Sequence, residues 1–234
     1  MKLRCGADEL VHDPIWDAES LGRAIPDSPH AVSVSLPLWD HVVGYEEGDP
    51  QVVDRLSLGY PRFKKNPLIE QLLEKVGERF GETGESILVF PSERVALRCV
   101  EFVFTLMGYR GRAEAYDSNG IWVVIVPDAA DEALQDYWQH SGEIVSSRMA
   151  EATLQGTEAS SGGDRAKSSI SNCISELAGV RSSDVYLFPT GMAALAAIQR
   201  VLQRLTPNCK SVQLGFPYVD LMKIQEKIGS GYHF

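Results

Sequence analysis

The last third of the chain writes two apolar strands around a long amphipathic helix, and this pattern constrains the fold most. DVYLF (184–188) and SVQLGF (211–216) flank residues 191–205, where Met192, Leu195, Ile198, Leu202 and Leu205 recur at helical spacing. Strand–helix–strand with apolar strands predicts a right-handed βαβ unit in a parallel sheet. A helix from about Lys167 to Leu177 precedes the unit and one from about Val219 to Ile228 follows it. A parallel sheet needs cover on both faces, yet only two of its strands are written before Phe234. The expectation is an α/β fold of which this chain carries the beginning.

Upstream lies a separate αβ block, residues 85–150. SILVF (86–90) predicts a buried strand, and Ser92 caps a helix carrying Val95, Leu97, Val100, Phe102 and Leu106. Ala113–Tyr116 and Ile121–Val126 flank Asp117-Ser118-Asn119-Gly120, a hairpin signal, and a helix from about Asp128 to His140 closes the block. Before it, Pro67 stands at a first-turn position of a helix within 67–84, whose apolar face is Leu68, Ile69, Leu72, Leu73 and Val76. Residues 1–66 hold Pro14, Pro26, Pro29, Pro37 and Pro50, each barred from a helix interior. They predict an extended arm with short turns, ending in a basic loop, that wraps over another body. The linker-like QGTEASSGGDRA falls within 151–166, leaving 167–234 as the incomplete last domain.

Composition excludes several classes. With 44% apolar and 23% charged residues the chain is neither collagen-like, coiled-coil nor wholly disordered. A net charge of −10 makes a poor general binder of nucleic acid or of an anionic membrane. No apolar run approaches the roughly 20 residues that span a bilayer, and the first residues, MKLRCGADELVHDP, lack the apolar stretch of a signal peptide. Cys5, Cys99, Cys173 and Cys209 are far apart, as expected of reduced thiols in a cytoplasmic protein. The five histidines show no metal-ligand spacing.

Three features carry chemistry. In DVYLFPTGMAAL a strand ends, Pro189 fixes a turn, Thr190 caps, and Gly191-Met192 open the helix. The free N–H groups of a first helical turn, added to the helix dipole, attract an anion. No G-K-[ST] follows, so this is not a P-loop; taken alone, such residues more often make an ordinary capped βα turn. In GYPRFKKNP (59–67), Tyr60 and Arg62 stand beside Lys64 and Lys65, a basic knot in an acidic chain. Arginine grips phosphate bidentately and tyrosine donates a hydroxyl, although a solvated loop is the commoner use. In LGFPYVDLMKIQEKIG (214–229), Tyr218 follows a predicted strand's carboxyl end, where open α/β sheets bind ligands. A core or surface tyrosine is again the commoner use.

Together, SLPLWDHVVGYEEGDP, GYPRFKKNP, DVYLFPTGMAAL and GFPYVDLMKIQEKIGSG, in that order, resemble the amino-terminal half of fungal-type cystathionine γ-synthase. These enzymes belong to the pyridoxal 5′-phosphate-dependent Cys/Met-metabolism group, whose shorter members lack the αβ block. The resemblance implies an aspartate-aminotransferase-like large domain (fold type I) with a mainly parallel sheet, preceded by the arm and carrying the block as an insertion. It implies that Gly191 and Met192, with Thr190, cup the phosphate of pyridoxal 5′-phosphate. Tyr60 and Arg62 match residues reaching that phosphate from the neighbouring subunit of a homo-oligomer. Tyr218 matches the tyrosine that stacks on the pyridine ring and assists proton transfer. The implied substrates are cysteine and an O-acyl-homoserine, in transsulfuration and methionine biosynthesis.

The family's catalytic centre also needs a lysine bonded to the cofactor and an aspartate at the pyridine nitrogen, both beyond the stacking tyrosine. This chain ends sixteen residues after Tyr218, and none of its eight lysines stands in the family's lysine motif. As written, the polypeptide is expected to be inactive alone. The alternative from a different class is a non-catalytic binding or regulatory subunit that pairs with a full-length homologue. A third reading, an unrelated binder of a phosphorylated small molecule, would use only the Gly191 turn.

Overall fold

The computed structural model describes residues 16–59, 64–157 and 163–234. The chain divides into two compact units, Met1–Gln71 and Leu72–Phe234.

In the first unit, β1 (Ala24–Ile25) pairs antiparallel with β2 (Ser33–Val34), followed by helices α1 (Trp39–Glu47) and α2 (Pro50–Val53). Extended backbone was expected here. The prolines act as predicted locally, but Pro37 and Pro50 leave room for a nine-residue helix between them. Pro50 itself occupies a first helical position, with the Asp49 side chain accepting from the Gln51 amide. Leu21, Val52 and Leu56 form a small buried cluster joined by Val34, Leu36 and Tyr45. These segments therefore supply a core of their own, while Trp39 stays 77% exposed. The unit boundary falls within α3 (Pro67–Phe80), which starts on an Asn66 side chain accepting the Leu68 amide.

The second unit contains the block. β3 (Glu85–Phe90), α4 (Glu93–Met107), β4 (Arg112–Ala115), β5 (Trp122–Pro127) and α5 (Asp131–Ser141) follow the predicted order. β5 lies between β3 and β4 and is antiparallel to both. The flanking strands thus run parallel to each other, joined by α4, with the hairpin strand set between them. Ser92 caps α4 by accepting the Val95 amide, and the hairpin turn is closed by the Tyr116 amide on the Ile121 carbonyl. On one face of the sheet, Leu88, Phe90, Val124 and Val126 pack against Val95, Ala96, Cys99 and Val103 of α4 and Leu134, Tyr137 and Trp138 of α5. Leu97 and Leu106, counted in the sequence as part of the apolar face of α4, are instead half exposed. Cys99 and Val103 take the buried line.

Helix α6 (Ser147–Gln155) comes next, capped by Ser146. Then α7 (Gly163–Ala178) begins inside the stretch read as a linker. Helix α8 (Gly191–Leu205) is followed by β6 (Ser211–Val212), α9 (Val219–Lys227) and β7 (Tyr232–His233). A parallel crossover does form, but across α9: β6 pairs with β7. The predicted strand 184–188 is not paired; only a single 3₁₀ turn, Ser182–Asp184, is regular there. A strand is defined by its neighbour, and among the described residues no neighbour meets this segment. The coarse α/β class holds. No helix among the described residues is long and apolar enough to cross a membrane.

Candidate functional site

The Thr190–Met192 turn forms as the sequence predicted. Thr190 is the N-cap of α8, with extended backbone (φ −142°, ψ 157°), and its Oγ1 accepts the Ala193 amide at 3.0 Å. The Ala194 amide reaches the Thr190 carbonyl at 3.2 Å. Among the described residues, the amides of Gly191 and Met192 have no partner, so two N–H groups at the positive end of a fifteen-residue helix remain for an anion. A Cβ built on Gly191 would meet nothing within 4 Å, so the turn is open at Gly191, while the Met192 residue itself is buried. The Thr190 hydroxyl proton is already placed, donated to the Gly142 carbonyl at 2.9 Å.

Tyr218 is the residue before α9, and its side chain is 55% exposed. Helix α9 packs beside α8 through Ile224, which is fully buried against Met192 and Ala196. Both helices, within the second unit, thus carry candidate residues at their amino ends. Tyr60 and Arg62 lie outside the described residues. The donor set at Gly191 fits a phosphate group: backbone N–H groups, a dipole and open approach, with no carboxylate in the turn itself.

The block holds this region by contacts that sequence reasoning missed. Glu143 lies just after α5 and is only 8% exposed. Its carboxylate accepts from Arg98 of α4 at 2.5 Å, from Arg200 of α8 at 3.0 Å and from the Tyr137 hydroxyl at 2.9 Å. Burial, reinforced by the Glu143 carboxylate, pushes the Tyr137 phenol up, so it stays a donor. Removing the shared carboxylate from such a buried charge group typically costs about 3–5 kcal/mol, because the remaining charges are left unpaired. Seven residues before Glu143, on α5, Asp136 accepts from Lys227 of α9 at 2.7 Å, a bond that pushes the lysine's pKa upward. Residues 98, 137, 143 and 200 are scattered in sequence and each reads as a surface group or core tyrosine. The one local signal was Gly142, a helix-ending glycine placed before an acidic residue.

Comparison with known proteins agrees with the block. Residues 68–146, from α3 to the cap of α6, match the family described as fungal trans-sulfuration enzyme, N-terminal domain. The resemblance read from the motifs is borne out: this chain is related to the amino-terminal portion of fungal cystathionine γ-synthases. A cystathionine gamma-synthase of Saccharomyces cerevisiae is 38% identical over 154 residues, which covers 58% of this chain and 24% of that protein. A cystathionine gamma-synthase-like enzyme of Amanita muscaria is 26% identical over 306 residues, covering 89% and 49%. An L-2-amino-4-chloropent-4-enoate dechlorinase/desaturase of Streptantibioticus cattleyicolor is 30% identical over 225 residues, covering 88% and 43%. The chain thus spans about a quarter to a half of the length of these relatives. No solved structure matches it. The candidate residues Tyr60, Arg62, Thr190, Gly191, Met192 and Tyr218 all lie outside the segment that matches the family.

Proposed function

We propose that this chain is the leading part of a pyridoxal 5′-phosphate-dependent transsulfuration enzyme of fold type I, acting in the cytoplasm. The observation that carries the reading is the unpartnered Gly191-Met192 amide pair at the head of α8, open at Gly191, at the residues where the family resemblance puts the cofactor phosphate. The whole enzyme would replace the ester group at Cγ of an O-acyl-homoserine with the sulfur of cysteine. The new C–S bond gives cystathionine, and the acyl group leaves as a carboxylate.

The cofactor, when bound, supplies an electron sink beside its ring. This chain's residues hold and orient it. The Gly191 and Met192 amides would take the phosphate, and Thr190 keeps the turn in shape through its cap and its bond to Gly142. Arg62 and Tyr60 of a second copy would add charge-assisted and hydroxyl bonds to the same phosphate, worth about 1.5–3 kcal/mol for each charged one. Tyr218 would offer its ring to the flat, cationic pyridinium and its hydroxyl to a substrate proton. The chemical step belongs to the longer enzyme, and the 234-residue polypeptide by itself is inactive in this reading.

Gly191→Pro tests the phosphate seat cleanly. Proline is favoured at the first helical position and deletes one N–H. Thr190 already has the extended backbone that a residue before proline prefers. The substitution should leave the circular dichroism spectrum unchanged and weaken pyridoxal 5′-phosphate binding by about tenfold, the loss of one charge-assisted hydrogen bond. Unchanged affinity would remove the amide pair from the site. Borohydride reduction of the loaded chain should label no single lysine stoichiometrically. A stable mixed dimer with a longer homologue, with altered activity, would favour the regulatory-subunit reading instead.

A further inference from the structure

The turn at the head of α8 is not left to its own cap. Gly142 has φ +65°, and a Cβ built on it would stand 2.5 Å from the Met192 Cβ, 2.6 Å from the Thr190 Oγ1 and 2.7 Å from the Ala193 nitrogen. The block's backbone therefore rests directly on the amide turn. One residue later, Glu143 bonds Arg200, more than two helical turns further along α8. Two adjacent residues of the block thus grip the same helix at its start and beyond its middle. Arg98 and Tyr137 hold Glu143 from the block's side, so the grip is anchored to α4 and α5.

We propose that Gly142 and Glu143 are positioning residues: the αβ block acts as a clamp that sets the place and stiffness of the Thr190–Met192 amide turn. This role rests on the reading of that turn as a phosphate seat. The physical reason is that amide donors bind an anion well only when held in place beforehand. A helix secured at one point could still pivot. Contacts at Thr190 and Arg200 define its axis, and the buried carboxylate between two guanidiniums resists a shift because any displacement leaves charge unpaired.

Two variants of the full chain test the clamp. Gly142→Ala pushes a methyl group into the turn. Arg200→Gln frees α8 from Glu143 while Arg98 continues to neutralise the carboxylate, so the block keeps its charge pair. Amide hydrogen exchange is read at Ala193 and Ala194, which bond to Thr190, with Val124 of the central strand as control. In both variants exchange at Ala193 and Ala194 should accelerate by about tenfold or more while Val124 stays within about twofold, the mark of local rather than global opening. Arg200→Lys should restore part of the protection. The clamp is overturned if Ala193 and Ala194 are unmoved in both variants, or if Val124 accelerates as much as they do.

Titrating inorganic phosphate into the same samples separates this inference from the reading beneath it. The unmodified chain should show shifts at the Gly191 and Met192 amide resonances, with affinity about fivefold weaker in both variants, a modest loss of preorganisation. If exchange responds but the unmodified chain shows no phosphate shift, the phosphate seat falls and the clamp stands. If phosphate binds equally to all three, the clamp has no bearing on the ligand and the positioning role is overturned.

Discussion

The αβ block and the segment after it both write apolar strands and helix faces, yet the block buries them far more completely. Phe90, Val103, Val123, Val124 and Leu134 are fully enclosed, and β3 pairs with β5 over six residues. In the later segment β6 and β7 share two pairs, and Tyr186, Leu214, Phe216 and Val219 are more than half exposed. The difference lies in where each segment's partners are. The block's strands and both covering helices follow one another within about 60 residues of sequence, close to the usual short-connection pattern. Helix α8 buries Met192, Ala193, Ala196 and Gln199, while Ile198, Leu202 and Leu205 remain open among the described residues. A parallel sheet draws its neighbours from distant sequence, so a segment of one is apolar before it is covered.

The contrast predicts unequal responses to substitution. Phe90→Ala should cost about 3–5 kcal/mol in urea unfolding followed by circular dichroism, because a full aromatic volume is emptied inside a packed core. A loss below 1 kcal/mol would mean that the block is not the stable part of the molecule.

A smaller effect is expected in alkali. The Tyr137 phenol is raised in the folded state, so above about pH 10 the folded chain holds a proton that the unfolded chain has released. Stability should therefore be intact below that pH and fall above it, by at most about 1.4 kcal/mol per pH unit from this group. Tyr137→Phe should remove that part of the slope in unfolding measured from pH 9 to 11.5. An unchanged slope would detach the phenol from the Glu143 cluster.

The smallest effect belongs to the open segment. Phe216 is wholly exposed, and Phe216→Ser should change stability by no more than about 0.5 kcal/mol while reducing light scattering by concentrated solutions. A cost comparable to that of Phe90→Ala would erase the contrast between the two regions.

Local signals were read well where their physics is local. SILVF, the Ser92 cap, the Asp117–Gly120 turn and the Pro67 start each depend on a few adjacent residues, and each forms where it was read. The Thr190 cap belongs with them. Residues 184–188 form no strand because apolar character names a candidate strand but not its neighbour. Helix α7 starts inside the Gly/Ser-rich stretch because Gly and Ser lower helix propensity without forbidding a helix start at Gly163. Arg98, Tyr137, Glu143 and Arg200 come from four places in the chain, and nothing adjacent to any of them announces that they meet.

By itself the sequence determined the elements of the block, the amide turn at Gly191 and the kinship with fungal cystathionine γ-synthases. Caps, turns and periodicity act over a few residues, and motif order survives without coordinates. Only the tertiary structure decided which face of α8 is buried, which strands pair, and that a buried carboxylate ties the block to the helix. Those outcomes depend on charges and surfaces brought together across as many as a hundred residues, where burial makes each unpaired group costly.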